Sequence, residues 1–185
     1  EIKIVNTEHG LRLAQLPVRE LETLRGEHFH WQDETLKPHV NLLEGLEADC
    51  FEILAEIQLN PQATMVGFRM RVGKNEETTL TFDVQKQRLI LDRGHSGKVD
   101  FDDTFASPHS VNVHLRDDIL RLRIIVDRCS VEVFVDDGRV TLSDLIFPSA
   151  SSRGLELFVT GGEMKLNRLD LYRLNPAIMQ EYKAV

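Results

Sequence analysis

Along most of this chain, hydrophobic side chains recur at every second position. Leu120, Leu122, Ile124 and Val126 alternate with Arg121, Arg123 and Ile125, and Val131, Val133 and Val135 alternate with Glu132 and Phe134. A period of two belongs to strands whose two faces meet different surroundings. Segments of similar character run from Cys50 to Leu59, Thr64 to Val72, Thr78 to Val84, Arg88 to Asp92, Ser110 to Leu115, Ile119 to Asp127, Ser130 to Asp136, Arg139 to Ile146, Gly154 to Thr160 and Met164 to Leu174. Turn residues separate them about every eight to twelve residues, the spacing of an all-β sandwich. Asp137-Gly138 is a strong hairpin signal because Gly tolerates positive φ.

The helical signal is confined to Pro17 through Gly26, where Val18, Leu21 and Leu24 stand three apart, Pro opens and Gly closes the turn, and Arg25 falls late. The pattern therefore predicts an N-terminal linker and short helix over 1–26, a two-sheet antiparallel β-sandwich over 27–174 with a polar stretch near 26–48, and a tail over 175–185 with one helical turn. No repeat or low-complexity tract divides the body.

With 185 residues and 42% hydrophobic content, the chain can bury a sizeable core, about 70% of its unfolded surface. Its net charge of -8, from 30 acidic and 22 basic residues without a basic cluster, argues against nucleic acid or an anionic membrane and leaves neutral or cationic partners. No apolar run reaches the roughly 20 residues of a membrane span, and no signal-peptide pattern opens the chain. A start at Glu1 rather than Met reads as a processed product or an excised fragment.

Cys50 and Cys129 both fall in apolar, strand-like surroundings and are expected to be buried free thiols rather than a disulfide. His28 and His30, within His28-Phe29-His30-Trp31, place two imidazoles on the same side of an extended segment, but no third ligand is evident from spacing, so no metal site is expected. Asp100-Phe101-Asp102-Asp103 resembles a calcium loop yet lacks its sharp-turn Gly and distal Glu, leaving a solvated turn. Glycosidase chemistry needs a pair of carboxyl groups about 5 to 9.5 Å apart. The adjacent pairs Asp102-Asp103, Asp117-Asp118 and Asp136-Asp137 sit beside turn signals and are explained by turn formation. Ser130, Ser143 and Ser149 lack a nucleophile elbow, and Gly161-Gly162 reads as a hairpin rather than a phosphate loop. No cofactor is expected.

Four stretches, in order, resemble the C-terminal β-sandwich of glycoside hydrolase family 32, the invertases, levanases and other β-fructosidases. They are Leu13 through Arg25, similar to the segment that follows that family's catalytic propeller; Gly67-Phe68-Arg69-Met70-Arg71 through Thr78–Asp83; Leu91-Asp92-Arg93-Gly94-His95-Ser96-Gly97; and Asp127 through Gly138 followed by Leu145-Ile146-Phe147-Pro148. The resemblance implies a concanavalin A-like jelly roll. The family's Trp-Met-Asn-Asp-Pro-Asn, Arg-Asp-Pro and Glu-Cys blocks, which carry its catalytic acids, are missing. Arg116-Asp117-Asp118 and Asp49-Cys50 are near misses inside the sandwich-like region and inherit no catalytic role.

The resemblance therefore implies a non-catalytic module that supports a catalytic propeller absent from this chain, by domain packing or homo-oligomerisation. A fructan-binding module and a free-standing lectin are the alternatives. Leu16, Pro17, Leu21 and Leu24 are the expected docking residues. Arg69, Arg71, Asp92, Arg93 and Glu132, charged residues that interrupt strand-like runs, are the expected contacts for fructan or fructose, although solvated or cross-strand-paired charges are the ordinary explanation. The compartment is left open between export and the cytoplasm.

Overall fold

A computed structural model describes residues 1–7 and 10–177. Thirteen strands alternate with short turns: β1 (Ile2–Thr7), β2 (Gly10–Gln15), β3 (Arg25–Leu36), β4 (Phe51–Gln58), β5 (Met65–Val72), β6 (Glu77–Asp83), β7 (Arg88–His95), β8 (His109–Asn112), β9 (Ile119–Asp127), β10 (Ser130–Val135), β11 (Val140–Leu145), β12 (Gly154–Thr160) and β13 (Met164–Leu174). All pairings between them are antiparallel. A six-stranded sheet in the order β11-β10-β9-β4-β13-β3 faces a five-stranded sheet in the order β12-β5-β6-β7-β8, while β1 and β2 pair only with each other. The all-β sandwich anticipated from the alternation is thus the architecture.

The alternation explains the packing strand by strand. Phe51, Ile53, Ala55 and Ile57 of β4, with Leu120, Leu122, Ile124 and Val126 of β9, bury one face of the larger sheet. Phe68 and Met70 of β5, Leu80 and Phe82 of β6, and Leu89 and Leu91 of β7 bury the facing side of the smaller sheet. Burying a large apolar side chain contributes about 1.5 to 3 kcal/mol, so this shared interior is the principal source of stability.

The loops tie the sheets together at their ends. The Phe147 N–H donates to the Ser96 carbonyl at 3.0 Å and the Lys98 N–H to the Phe147 carbonyl at 3.1 Å, so two of the stretches that carry the resemblance meet across the sandwich. Glu76 accepts the Ser149 N–H at 2.8 Å, the Ser149 hydroxyl at 2.7 Å and the Ser152 hydroxyl at 2.5 Å. The Ser152 hydrogen bond, with those from Ser149, outweighs desolvation and holds the Glu76 carboxyl below its ordinary pKa. The β12 edge is blunted by Asn41, whose side chain donates to the Leu155 carbonyl at 3.0 Å and accepts the Leu157 N–H at 3.1 Å.

Four expectations change, the first being that the stretch expected as a linker holds the paired strands β1 and β2. The helical segment is a 3₁₀ turn, Arg19–Leu24, which suits the three-residue spacing of Val18, Leu21 and Leu24 because such a helix has three residues per turn. The polar stretch near 26–48 contains β3, a twelve-residue edge strand. Only Phe29 and Trp31 of its central residues pack against the core, so its period is masked by polar residues of the kind that protect an edge. The thiols are free, but they are not buried: Cys50 is half-buried and Cys129 lies exposed in the β9–β10 turn. Burial, then the hydrogen bond to Asp127, pushes the Cys50 thiol up to about 11. The expected tail falls, from residue 178 onward, outside the described residues.

Two measurements check this account. Phe82→Ala, at a fully buried position, is expected to lower the unfolding free energy by about 3 to 5 kcal/mol in denaturant titration. Because the folded-state pKa of Glu76 is depressed, its contribution is complete at neutral pH and fades as pH falls through the ordinary value of about 4.3 toward the lower folded value. The Tm difference between the wild type and Glu76→Gln is therefore expected to shrink as pH is lowered from 7 to 3; a difference that widens contradicts the assignment.

Candidate functional site

Side chains committed to the interior leave chemistry to the outer faces, the loops and the β1–β2 hairpin. In that hairpin Ile4 pairs with Leu13, and Ile2 and Leu11 lie on the same face, two positions away along their strands. These four apolar side chains are between 60% and 72% exposed. On the opposite face Ala14 is buried, and the Gln15 N–H donates to the Gly138 carbonyl at 2.9 Å, seating the hairpin on the β10–β11 turn. In that turn Asp136, Asp137 and Gly138 all have positive φ, and a Cβ on Gly138 would collide with the Gln15 carbonyl. Asp137-Gly138 therefore forms the expected turn and also lets the hairpin approach.

The expected docking residues, Leu16, Pro17, Leu21 and Leu24, are all half-buried in the segment that joins this hairpin to β3. Leu16 lines a shallow cavity of about 340 Å³ on the outer face of the six-stranded sheet, together with Leu54, Arg121, Phe134 and Arg168. A second cavity, of about 750 Å³, is lined by Asn6 and Arg12 of the hairpin and by His114, Arg116, Asp136 and Arg139 of the sandwich. The Asp136 carboxylate accepts the Arg116 Nε–H at 3.0 Å and lies 3.6 Å from Arg139, so one carboxylate is shared by two of the three guanidinium groups lining this cavity. Hydrogen bonding to Asp136 raises the Arg116 pKa further.

The five expected sugar contacts are distributed over both sheets. Arg69 of β5 donates to Glu156 at 2.5 Å and lies 4.7 Å from the Phe158 ring centroid, a cross-strand arrangement. Arg71 is 2% exposed and occupies a β-bulge, with φ +54° in a stretch where Val72 pairs with Gly154 and Met70 with Leu155. The extra residue turns its side chain inward, where it donates to the carbonyls of Ser152 at 2.8 Å, Asp49 at 3.1 Å and Ser149 at 3.3 Å. Burial lowers its pKa. Asp92 accepts the Gly94 N–H at 2.8 Å, as a turn-forming Asp does. Glu132 is exposed on the outer face of the six-stranded sheet, opposite Ile125 and Ser143.

Arg93 occupies the richest setting of the five. Its Nε–H donates to the Phe105 carbonyl at 2.7 Å, its guanidinium lies 4.0 Å from the Phe105 ring centroid, and its Nη1 is 3.5 Å from Asp144. His109 lies 2.6 Å from the same Asp144 oxygen, and the other oxygen, Oδ2, is buried without a hydrogen-bond partner among the described residues. Phe101, Phe105 and Phe147 cluster beside it with ring centroids 4.5 to 5.7 Å apart, and Phe101 is 53% exposed. These rings come from a loop and a strand end far apart in sequence, so no local pattern announced them.

On the outer face of the larger sheet, Glu52 accepts Arg25 at 2.6 Å and Arg123 at 2.5 Å. Nearby, Asp170 accepts from His28 and His30, each at 2.8 Å, and from Arg168. Burial works to raise the Asp170 pKa, but the donors from His28, Arg168 and His30 outweigh it and hold the carboxyl below its ordinary value. The acidic pairs serve as turn formers: Asp102 accepts the Thr104 N–H at 2.8 Å, and Asp117 and Asp118 both have positive φ.

Residues 20–173 match the family described as "Glycosyl hydrolases family 32 C terminal". The chain belongs to this family. A levanase of Bacillus subtilis (strain 168) is 37% identical over 177 residues, covering 94% of this chain and 26% of the levanase. A fructan beta-fructosidase of Streptococcus mutans is 30% identical and matches 94% of this chain over 12% of its own length. The crystal structure of exo-inulinase from Aspergillus awamori superposes with a TM-score of 0.82 at 27% identity, covering 94% of this chain and 34% of that one. This family 32 C-terminal domain thus spans about a quarter of the levanase it resembles.

The placement of Arg71 and Gly138 predicts structural roles for both. Arg71→Ala is expected to cost about 3 kcal/mol or more because three loop carbonyls lose a buried cationic donor, whereas Arg69→Ala, removing a half-exposed pair, is expected to cost under about 1 kcal/mol. Gly138→Ala is expected to destabilise by about 1 to 3 kcal/mol, through both backbone strain and the clash with Gln15. Denaturant titrations of the three variants check the ranking.

Proposed function

We propose that this domain is the non-catalytic sandwich of a fructan- or sucrose-hydrolysing glycosidase, supporting a catalytic domain by packing against it. The observation that carries this reading is the apolar face of the β1–β2 hairpin, where Ile2, Ile4, Leu11 and Leu13 are exposed together. A two-stranded hairpin is marginal alone and is stabilised by packing of an apolar face. A contiguous apolar surface of this kind marks an interaction site. The small share of the levanase and fructan beta-fructosidase that the chain spans supports a neighbouring catalytic domain as the occupant. The local engagement of Asp102 by Thr104 and of Asp136 and Asp137 by Arg116 supports the absence of a catalytic role.

The purified chain is expected to release no fructose from sucrose, levan or inulin; release would contradict the reading. Ile4→Asp with Leu13→Asp is expected to change the stability of the chain alone by only about 0.5 kcal/mol, as surface substitutions do. The same pair is expected to lower both the Tm and the activity of an enzyme in which this domain is joined to its catalytic partner. An unaffected enzyme would overturn the packing role.

A second reading, fructan binding, is favoured by the Phe101, Phe105 and Phe147 cluster beside Arg93, His109 and Asp144. Aromatic faces and charged hydrogen-bonding groups are the recognition elements it needs. Calorimetric titration with fructose, levan and inulin tests it: a saturable signal lost in Phe101→Ala supports the binding role, and no heat from any of the three rejects it.

A further inference from the structure

We infer that His28, His30 and Asp170 form a binding site for a divalent transition metal of the zinc class on the outer face of the six-stranded sheet. His28 and His30 are two residues apart on β3, so their side chains leave the strand on the same side. The antiparallel register places Asp170 of β13 directly opposite His30, and Tyr172 opposite His28. His28 Nε2, His30 Nδ1 and a carboxylate oxygen of Asp170 all lie within 4.8 Å of one another. A tetrahedral zinc ion with bonds of about 2.0 to 2.2 Å needs ligand atoms about 3.3 Å apart. Small movements of two half-exposed imidazoles at a sheet edge bring them there.

The supporting groups are already arranged. Both imidazoles converge on Oδ1 of Asp170 at 2.8 Å, while Arg168 engages Oδ2. The carboxylate therefore has one oxygen for the metal and one held by a guanidinium, which fixes its orientation as outer hydrogen bonds fix metal-binding carboxylates. The His28 ring stacks on Tyr172, centroids 4.2 Å apart and planes 10° from parallel, and the Arg25 guanidinium lies 4.5 Å from the centroid of the same tyrosine. Asp170 is only 1% exposed, whereas His28 and His30 face solvent, so a metal enters from the imidazole side and keeps water in its fourth position.

Metal binding displaces the N–H protons that the two imidazoles direct at Asp170, and each neutral ring then carries its single proton on the other nitrogen, Nδ1 of His28 and Nε2 of His30. Two imidazole nitrogens and one carboxylate favour zinc-class ions over magnesium or calcium, which take all-oxygen sites. The bound ion would add a side-chain clamp to the backbone ladder that already joins edge strand β3 to β13. No metal site was expected from the sequence because the third ligand lies about 140 residues away.

Calorimetric titration of the chelator-treated chain with zinc chloride at pH 7.5 tests the site. About one equivalent is expected to bind, unaffected by excess Mg²⁺, and to raise the Tm. His30→Gln and His28→Gln, both at solvent-facing positions, are each expected to weaken binding by about tenfold or more, and the double variant to lose the zinc-dependent rise in Tm. Cobalt(II) gives an independent readout: the wild type should show the intense visible absorption of a four-coordinate ion and the double variant should not. Absence of saturable zinc binding, or binding and a cobalt spectrum unchanged in the double variant, overturns the inference.

Discussion

Burial of one face of every central strand in the two large sheets is the constraint on which the rest of this structure depends. Once Phe51, Phe68, Phe82, Leu120 and Ile124 are committed to a common interior, the period of two leaves every second side chain to the outside. The charged groups of the outer faces, the loop contacts that close the ends and the docking of the hairpin are all arranged around that commitment. Where a loop or bulge is pressed against the sandwich, polar groups gather several partners: buried Arg71 takes three carbonyls and half-buried Glu76 takes two serines.

The same logic separates supporting chemistry from a reaction. Carboxylates that look suggestive in sequence are occupied locally, Asp102 by Thr104 and Asp136 by Arg116, as turn geometry asks of them. The hairpin that precedes the sandwich leaves one apolar face, formed by Ile2, Ile4, Leu11 and Leu13, exposed. The exposure of that face in a family 32 C-terminal domain is the basis of the proposed packing role.

Legibility in the sequence followed the range of the interactions. β9, β10 and the Asp137-Gly138 turn were readable because alternation and turn chemistry are local. β3 was not, because an edge strand needs few apolar residues and its polar ones disguise the period. Asp170 as the partner of His28 and His30, the Phe101, Phe105 and Phe147 cluster, and the inward turn of Arg71 depend on register or on a bulge, which no local window contains. Cys129 is exposed rather than buried because its apolar neighbours belong to two strands while the residue itself occupies the turn between them.

The account's central claim is that the β1–β2 hairpin completes its packing against a catalytic domain. Hydrogen exchange of the Ile2–Gln15 backbone amides, compared between this chain alone and the chain joined to the catalytic domain of its enzyme, tests that claim most directly. Rapid exchange in the isolated chain and strong protection in the joined form are predicted. Equal exchange in the two would contradict it.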